Sequence, residues 1–272
     1  MDFYDQHFIQ KALDQQFAFI RLYEENHVLT LALNRPEKKN ALHPHMVNEI
    51  TFALQFAKQN KDIWAVVIEA AGDVFCSGAD LKAFMGDVGE FESSIPKPRG
   101  EILIGELFNK VHKPIITKVE GDVFAGGFFF LAGANYVLCN EDVKLGLPEV
   151  KRGLFPFQVM AALLEIMPRR KVLDWCLRGY NLGVIDAFQN GLVTHITTPT
   201  SIDITLNALL DEIKANSPTA IRLGLEALDT IHPKESQHKY LMDMLRKAVM
   251  SKDGQEGLKA FKEKREPIWT GE

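Results

Sequence analysis

Short, unbroken apolar runs alternate with helical segments along most of this chain. Such runs lie at 64–68, 114–119 and 136–139, and each is typical of a strand buried on both faces of a parallel sheet. A helix is also predicted at 102–111 and a late strand at 192–196. The alternation predicts an α/β fold for a core domain over residues 1–200. Beyond this core the apolar residues recur at helical spacing, which predicts a helical C-terminal subdomain over residues 201–272.

The N-terminal part adds a hairpin and a long helix to this pattern. Apolar-rich runs at 17–23 and 27–34 are separated by the polar residues 24–26, a spacing typical of hairpin strands. An amphipathic helix is predicted behind Pro44, since proline is tolerated in a first helical turn. The apolar residues that recur at helical spacing are Met46, Ile50, Ala53, Leu54 and Ala57.

Charge and cysteine content argue against several classes of protein. There are 31 Lys and Arg against 36 Asp and Glu, a net charge of −5, whereas nucleic-acid binding depends on basic residues that neutralise phosphates. The three cysteines form no CxxC pair, so neither a disulfide framework nor a metal site is expected. The N-terminus lacks the features of a signal peptide, and the apolar stretch 123–139 is shorter than the ~20 residues of a membrane span. We therefore expect a cytoplasmic protein with no nucleic-acid or membrane partner.

Two glycine-containing turns, at 76–82 and 121–127, each follow a predicted strand and precede a predicted helix. Such turns aim backbone N–H groups into the crevice where open α/β sheets bind ligands. Neither turn contains a nucleotide-binding motif, and no GxSxG nucleophile elbow accompanies them. Two N–H groups that converge on one oxygen would instead form an oxyanion hole, which stabilises negative charge on an ester or thioester carbonyl.

Five motifs, in order, resemble the signatures of the crotonase superfamily, also called the enoyl-CoA hydratase/isomerase family. They are Asn34-Arg35-Pro36 with Asn40-Ala41-Leu42, the turn 76–81, the turn 121–127, the segment 147–154, and Gly191-Leu192-Val193. The segment 260–265 resembles the C-terminal helix of the family. The resemblance therefore spans nearly the whole chain.

The resemblance implies a spiral of ββα units with a C-terminal helical trimerisation region, and a homotrimer or a hexamer of two trimers. It implies an acyl-CoA thioester substrate, so that coenzyme A is part of the substrate and no separate cofactor is needed. The amides of Ala79 and Gly126 are expected to donate to the thioester oxygen. Residues expected in the coenzyme A groove are Lys38, Ser77, Asp80 and Leu81, with Phe261 or Lys264 reaching coenzyme A from the same or a neighbouring subunit.

The resemblance places the catalytic carboxylate at Glu149. Hydratases of this family use two glutamates to hold and activate one water, and the position of the first falls on Phe129 here. Phenylalanine neither positions nor deprotonates water, so Phe129 is assigned to the substrate-binding wall. One carboxylate can still move a proton from C2 to C4 of a 3-enoyl thioester, and the surrounding phenylalanines should raise the pKa of Glu149. We therefore expect Δ3-Δ2 enoyl-CoA isomerisation.

Three alternatives remain open. A hydratase could recruit a second acid, for instance Glu101 or Glu106, if the segment 85–98 folds over the pocket. Another acyl-CoA reaction, such as thioester hydrolysis, is compatible with the same fold. A non-catalytic acyl-CoA-binding paralogue would bind thioesters without turnover that depends on Glu149. The histidines show no catalytic or metal-ligand spacing, so structural or exposed positions are expected for His43, His45, His112 and His195.

Overall fold

The computed structural model describes residues 2–231 and 235–270. In this part of the chain the strands form two sheets, one six-stranded with the order β1-β2-β3-β5-β7-β10 and one four-stranded with the order β4-β6-β8-β9. The strands are β1 (Ile20–Glu25), β2 (Val28–Leu33), β3 (Ala65–Ala70), β4 (Val74–Cys76), β5 (Ile115–Val119), β6 (Asp122–Phe124), β7 (Tyr136–Asn140), β8 (Leu145–Gly146), β9 (Asn181–Leu182) and β10 (His195–Thr197).

Helices separate the strands and form the C-terminal part of the chain. They are α1 (Gln6–Ile9), α2 (Pro44–Gln59), α3 (Leu81–Phe84), α4 (Ile104–Leu107), α5 (Phe128–Ala132), α6 (Phe157–Leu164), α7 (Arg169–Arg178), α8 (Val184–Gln189), α9 (Ile202–Lys214), α10 (Pro218–Ile231), α11 (Glu235–Met250) and α12 (Lys252–Glu263). Among the described residues, every helix is too short or too polar to cross a membrane. The predicted helical character of the C-terminal region is therefore confirmed, whereas the domain boundary at residue 200 stays a prediction.

Successive repeats give one strand to each sheet and then a helix. The first repeat is β3, β4 and α3, the second is β5, β6 and α5, and the third is β7, β8 and α6. Within the larger sheet, β3 pairs in parallel with β5, and β5 pairs in parallel with β7. The spiral of ββα units that the resemblance implies is thus present.

The core lies where α2 packs on the larger sheet. Leu29, Leu31 and Leu33, on one face of β2, are fully buried, as are Met46 and Ile50 of α2. Each such side chain contributes roughly 1.5–3 kcal/mol when it is fully removed from water. This packing holds the N-terminal end of α2 beside the first glycine turn.

Three boundaries differ from the sequence predictions. The hairpin turn is Asn26-His27, with both φ angles positive, because Glu24 and Glu25 still pair with β2. The strand predicted at 192–196 begins only at His195, since the amide of Leu192 closes the end of α8 by donating to Ala187. The helix predicted at 102–111 is broken into α4 and a separate 3-10 turn, and its first apolar residues turn toward a cavity instead.

Candidate active site

A cavity of ≈ 740 Å³ lies between the two glycine turns and the C-terminal helices. Most of its wall is apolar, and five segments of the core contribute to it. The residues that line it from the first turn are Ser77, Ala79 and Leu81, from the second turn Ala125, Gly126 and Phe129, and from the following 3-10 turn Glu149 and Arg152. The structure therefore gathers around one cavity most of the site residues predicted from sequence.

The first glycine turn pairs with the segment that precedes α2. The amide of Leu42 donates to the carbonyl of Gly78 at 2.7 Å, and the amide of Asp80 donates to the carbonyl of Leu42 at 3.1 Å. These two bonds flank Ala79, whose own amide has no backbone partner among the described residues. The Ala79 N–H is therefore available to a ligand.

Asp80 fixes this turn and does not line the cavity. One carboxylate oxygen accepts from the Arg35 guanidinium at 2.7 Å, and the other caps α3 by accepting from the amides of Lys82 and Ala83. Although burial opposes the effect, the hydrogen bond from Arg35 lowers the pKa of the Asp80 carboxyl. Lys38 is exposed and also lies outside the lining. Contacts of Asp80 and Lys38 with coenzyme A stay predictions.

Asn40, in the first motif, holds the segment before α2 in place through side-chain hydrogen bonds. Its buried side chain accepts from the amide of Arg35 at 2.8 Å and donates to the carbonyls of Ala71 and Val74 at 2.9 and 2.8 Å. These bonds tie the segment before α2 to the connection between β3 and β4. The first glycine turn leaves β4 from this fixed point.

The second glycine turn touches the first. Gly78 has a φ of 89°, and a Cβ atom at this position would lie 2.6 Å from the Cβ of Ala125 and 3.2 Å from the amide nitrogen of Gly126. Gly126 is the second residue of a 3-10 turn, and the first amides of a helical turn have no partner within it. The amides of Ala79 and Gly126 therefore border one cavity from two contacting turns, which is the arrangement of an oxyanion hole.

Glu149 lines the same cavity from the 3-10 turn Pro148–Arg152. Its Oε2 atom is buried and has no hydrogen-bond partner in the described part of the chain. Burial raises the pKa of Glu149 to about 7, and the Arg152 guanidinium opposes this rise. The direction agrees with the sequence prediction. A carboxyl with such a pKa can act both as base and as acid near neutrality.

The three phenylalanines of α5 divide between cavity and core. Phe129 lines the cavity, whereas Phe128 and Phe130 are fully buried. The Phe128 ring packs edge-on against Trp175, with ring centroids 4.9 Å apart. Phe129 therefore occupies the wall that the sequence assigns to it, and its contact with a substrate stays a prediction.

Within residues 2–231 and 235–270, Glu149 is the sole carboxylate in the cavity lining. Glu101 is exposed and pairs with Arg246 at 3.4 Å, and Glu106 pairs with Lys110 at 3.5 Å. Both glutamates lie outside the lining. In this conformation neither of them supplies the second acid that a two-carboxylate hydratase would need.

Two histidines at the start of α2 lie in the cavity wall, which the sequence does not indicate. The sequence predicts structural or exposed positions for His43 and His45, and both side chains also line the cavity. His43 also caps α2, because its Nδ1 atom accepts from the amide of His45 at 3.1 Å, and its Nε2 atom donates to the carbonyl of Val88 at 2.8 Å. The Nε2 atom of His45 lies 3.3 Å from a carboxylate oxygen of the fully buried Glu49.

The segment 85–98 brings these histidines into the wall. It folds over the start of α2, where Asn48 donates to the carbonyl of Pro96 at 3.0 Å and Ser93 donates to Glu49 at 2.8 Å. The ring centroid of Phe91 lies 4.1 Å from that of His45. The His-Pro-His sequence at the start of α2 is a signal for a helix cap, but its place in the wall depends on these long-range bonds.

The C-terminal helices close the cavity of their own chain. Helix α12 packs closely on the turn that carries Glu149, since a Cβ atom at Gly257 would lie 2.2 Å from the carbonyl oxygen of Arg152. Phe261 and Lys264 do not line the cavity, and the homotrimer or hexamer stays a prediction. The residues of α11 and α12 in the lining are Met242, Leu245, Val249 and Leu258.

Comparisons with known proteins identify the family of this chain. The family model described as enoyl-CoA hydratase/isomerase matches residues 23–272. A putative enoyl-CoA hydratase of Thermus thermophilus is 31% identical over 249 residues, which cover 90% of this chain and 98% of that protein. Enoyl-CoA hydratase EchA19 of Mycobacterium tuberculosis is 31% identical, with 89% and 92% covered.

The fold is also shared with solved structures. The crystal structure of a carnitinyl-CoA hydratase from Mycobacterium avium superposes with a TM-score of 0.82 at 26% identity, and the alignment covers 94% of this chain and 100% of that one. The fold, the contacting glycine turns and these sequence matches therefore agree. This chain is a member of the enoyl-CoA hydratase/isomerase family, an enzyme family that acts on acyl-CoA thioesters.

Proposed function

We propose that this enzyme catalyses Δ3-Δ2 isomerisation of an enoyl-CoA thioester, with coenzyme A bound as part of the substrate. The observation that carries the proposal is the lone cavity carboxylate of the described residues. Glu149 has an unpartnered buried oxygen and a pKa near neutrality, and the wall of the same cavity includes Phe129. Proton transfer between two carbons of one substrate requires one such group, whereas hydration also requires a positioned water.

In the proposed reaction, the Glu149 carboxylate removes a proton from C2 of a 3-enoyl thioester. The electron pair of the broken C–H bond forms a double bond between C1 and C2, and the carbonyl pair moves to the thioester oxygen. The double bond between C3 and C4 stays in place, so the product of this step is a dienolate. Its negative charge collects on the thioester oxygen, where the amides of Ala79 and Gly126 stabilise it. Protonated Glu149 then returns the proton to C4, which leaves the double bond between C2 and C3 and restores the base.

The test is a direct comparison of two reactions. Purified protein is mixed with trans-3-hexenoyl-CoA, and formation of the conjugated 2-enoyl thioester is followed by its absorbance, while hydration of trans-2-hexenoyl-CoA is measured in parallel. We expect isomerisation to exceed hydration in kcat/KM. Hydration exceeding isomerisation would contradict the proposal, and thioester binding without either reaction would favour another acyl-CoA reaction or a non-catalytic protein.

The pKa of Glu149 predicts how isomerisation depends on pH. The base must be ionised, so kcat/KM is expected to rise from pH 5, to be half-maximal near pH 7 and to level off above it, because this parameter reports the free enzyme. Initial rates at substrate concentrations below KM, measured from pH 5 to 9, give this profile. A profile that is flat or falling over this range would be incompatible with Glu149 as the base.

A second candidate is hydration, which the printed names of the relatives favour. The specific observation for it is His45, which lines the cavity and lies 3.3 Å from buried Glu49. If His45 orients water, His45→Asn should lower hydration by roughly 10²-fold or more while isomerisation is retained. If both reactions are unchanged in the variant, His45 has no part in proton transfer.

A further inference from the structure

Arg152 is a cation in the cavity wall that lacks an acidic partner. Its side chain lines the cavity and is partly buried, and among residues 2–231 and 235–270 no carboxylate forms an ion pair with it. The guanidinium lies over the ring of Phe261, 4.3 Å from the ring centroid. This contact offsets part of the cost of removing the charge from water, but it satisfies none of the five N–H donors of the guanidinium.

The position of Arg152 is set by the turn that carries Glu149. Both residues belong to the 3-10 turn Pro148–Arg152, in which residues three apart eclipse and the rise is about 2 Å per residue. The two charged groups also influence each other electrostatically, although they form no ion pair. A group that binds Arg152 therefore lies close to the atoms on which Glu149 acts.

The closeness of Arg152 to Glu149 indicates which part of the substrate Arg152 contacts. In an acyl-CoA the long pantetheine arm separates the phosphates from the thioester, whereas the acyl group begins at the thioester itself. Glu149 must reach C2 and C4 of the acyl group in the proposed reaction. An anion within reach of Arg152 is thus expected on the acyl group, a few carbons beyond the reacting atoms.

We propose that Arg152 binds a terminal carboxylate of the acyl group, so that the preferred substrates are CoA thioesters of dicarboxylic acids. This inference rests on the proposed function and names its substrate class. Guanidinium and carboxylate match in a bidentate geometry, and the interaction strengthens away from water. Lys97, an exposed cation among the described lining residues, adds positive charge at the same cavity, so that the cavity favours an anionic acyl group.

The charges of Arg152 and Lys97 also predict a ligand preference that differs from that of one structural relative. The carnitinyl group named for the Mycobacterium avium structure carries a quaternary ammonium, which proteins typically bind within aromatic cages. In this cavity such a group would meet Arg152 and Lys97. Like-charge repulsion predicts that carnitinyl-CoA binds more weakly than an uncharged thioester of similar length.

Binding is measured by calorimetry with thioesters that have no double bond, so the result does not depend on turnover. Glutaryl-CoA is compared with pentanoyl-CoA, and adipoyl-CoA with hexanoyl-CoA, because the members of each pair differ by the terminal carboxylate. We expect wild-type protein to bind the dicarboxylic thioester about tenfold or more tightly in at least one pair. Equal affinity within both pairs would overturn the proposal even if every thioester binds, whereas failure of all thioesters to bind would overturn the proposed function as well.

Substitutions test whether Arg152 causes the preference for dicarboxylic thioesters. Arg152→Met should abolish it, Arg152→Lys should retain part of it, and Lys151→Met is the matched control because Lys151 is the exposed neighbour in the same turn. If Arg152→Met weakens free coenzyme A and all thioesters equally, the residue binds a phosphate of coenzyme A and the proposal is wrong. Should Arg152→Met fail to fold, the wild-type comparison and Arg152→Lys still decide.

Discussion

Glu149→Gln is expected to lower kcat for isomerisation by roughly 10²–10⁴-fold, the usual contribution of a positioned acid or base. Glutamine has nearly the same shape as glutamate but cannot accept the C2 proton, so coenzyme A thioesters should still bind. Initial rates with trans-3-hexenoyl-CoA and calorimetric Kd values for hexanoyl-CoA measure the two effects separately. Glu141→Gln is the control, since Glu141 is exposed and outside the cavity.

The same substitution should change stability in a pH-dependent way. The folded protein raises the pKa of Glu149 from 4.5 to about 7, so the native state favours the protonated form. This contribution to stability is fully present below pH 4.5 and is lost as the pH rises through 7, a loss of roughly 3 kcal/mol. We therefore expect Glu149→Gln to be more stable than wild type at pH 8.5 and similar to it at pH 5, as measured by urea unfolding.

The activity of the same variant tests the proposed role of the residue. An unchanged kcat for isomerisation in Glu149→Gln would exclude Glu149 as the base.

Gly78→Ala is expected to lower kcat by about 10²–10³-fold, the cost of removing one donor of an oxyanion hole. The added methyl group would lie 2.6 Å from the Cβ of Ala125 and 3.2 Å from the amide nitrogen of Gly126. The two glycine turns must then move apart, and the amides of Ala79 and Gly126 no longer converge on one oxygen. Steady-state rates and the affinity for a 2-enoyl thioester measure the loss.

Gly86→Ala separates this effect from backbone strain. Gly86 has a φ of 97°, close to the 89° of Gly78, but a Cβ atom there would meet nothing within 4 Å. Both variants should lose about 1–3 kcal/mol of stability from the positive φ angle. Only Gly78→Ala should also lose activity, and equal kcat values in the two variants would show that contact between the turns does not position the amides.

Local patterns were sufficient for much of the fold. Apolar runs predicted strands close to β3, β5 and β7, and helical periodicity predicted α2 and the C-terminal helices. The errors lie at element boundaries, where strand pairing, a helix-end hydrogen bond or packing at the cavity decides the outcome. At 102–111 the apolar residues satisfy a helical pattern equally well, but Ile102, Leu103 and Ile104 line the cavity instead, because the segment before them crosses over α2.

The candidate site was likewise predicted in part from the sequence and decided in part by the tertiary structure. Two glycine turns after strands, a carboxylate among apolar residues and the order of the motifs are properties of the sequence, and they placed Ala79, Gly126 and Glu149 at one site. Asp80 is predicted from the sequence to lie in the coenzyme A groove. Its carboxylate instead accepts hydrogen bonds from Arg35 and from two amides of α3. A residue type indicates what a side chain can bind, but not which of its possible partners it meets.

The sequence by itself thus determined the family, the alternation of strands and helices, and the identity of the groups that could carry out chemistry. Only the tertiary structure decided that His43 and His45 share the cavity of Glu149, that Asp80 and Lys38 lie outside its lining, and that α11 and α12 close it. The physical reason is that pKa, access to ligand and contact between turns depend on which surfaces exclude water together. Those surfaces come from segments that are far apart in the sequence, such as the segments of Arg152 and Gly257. No local sequence pattern encodes the approach of such segments.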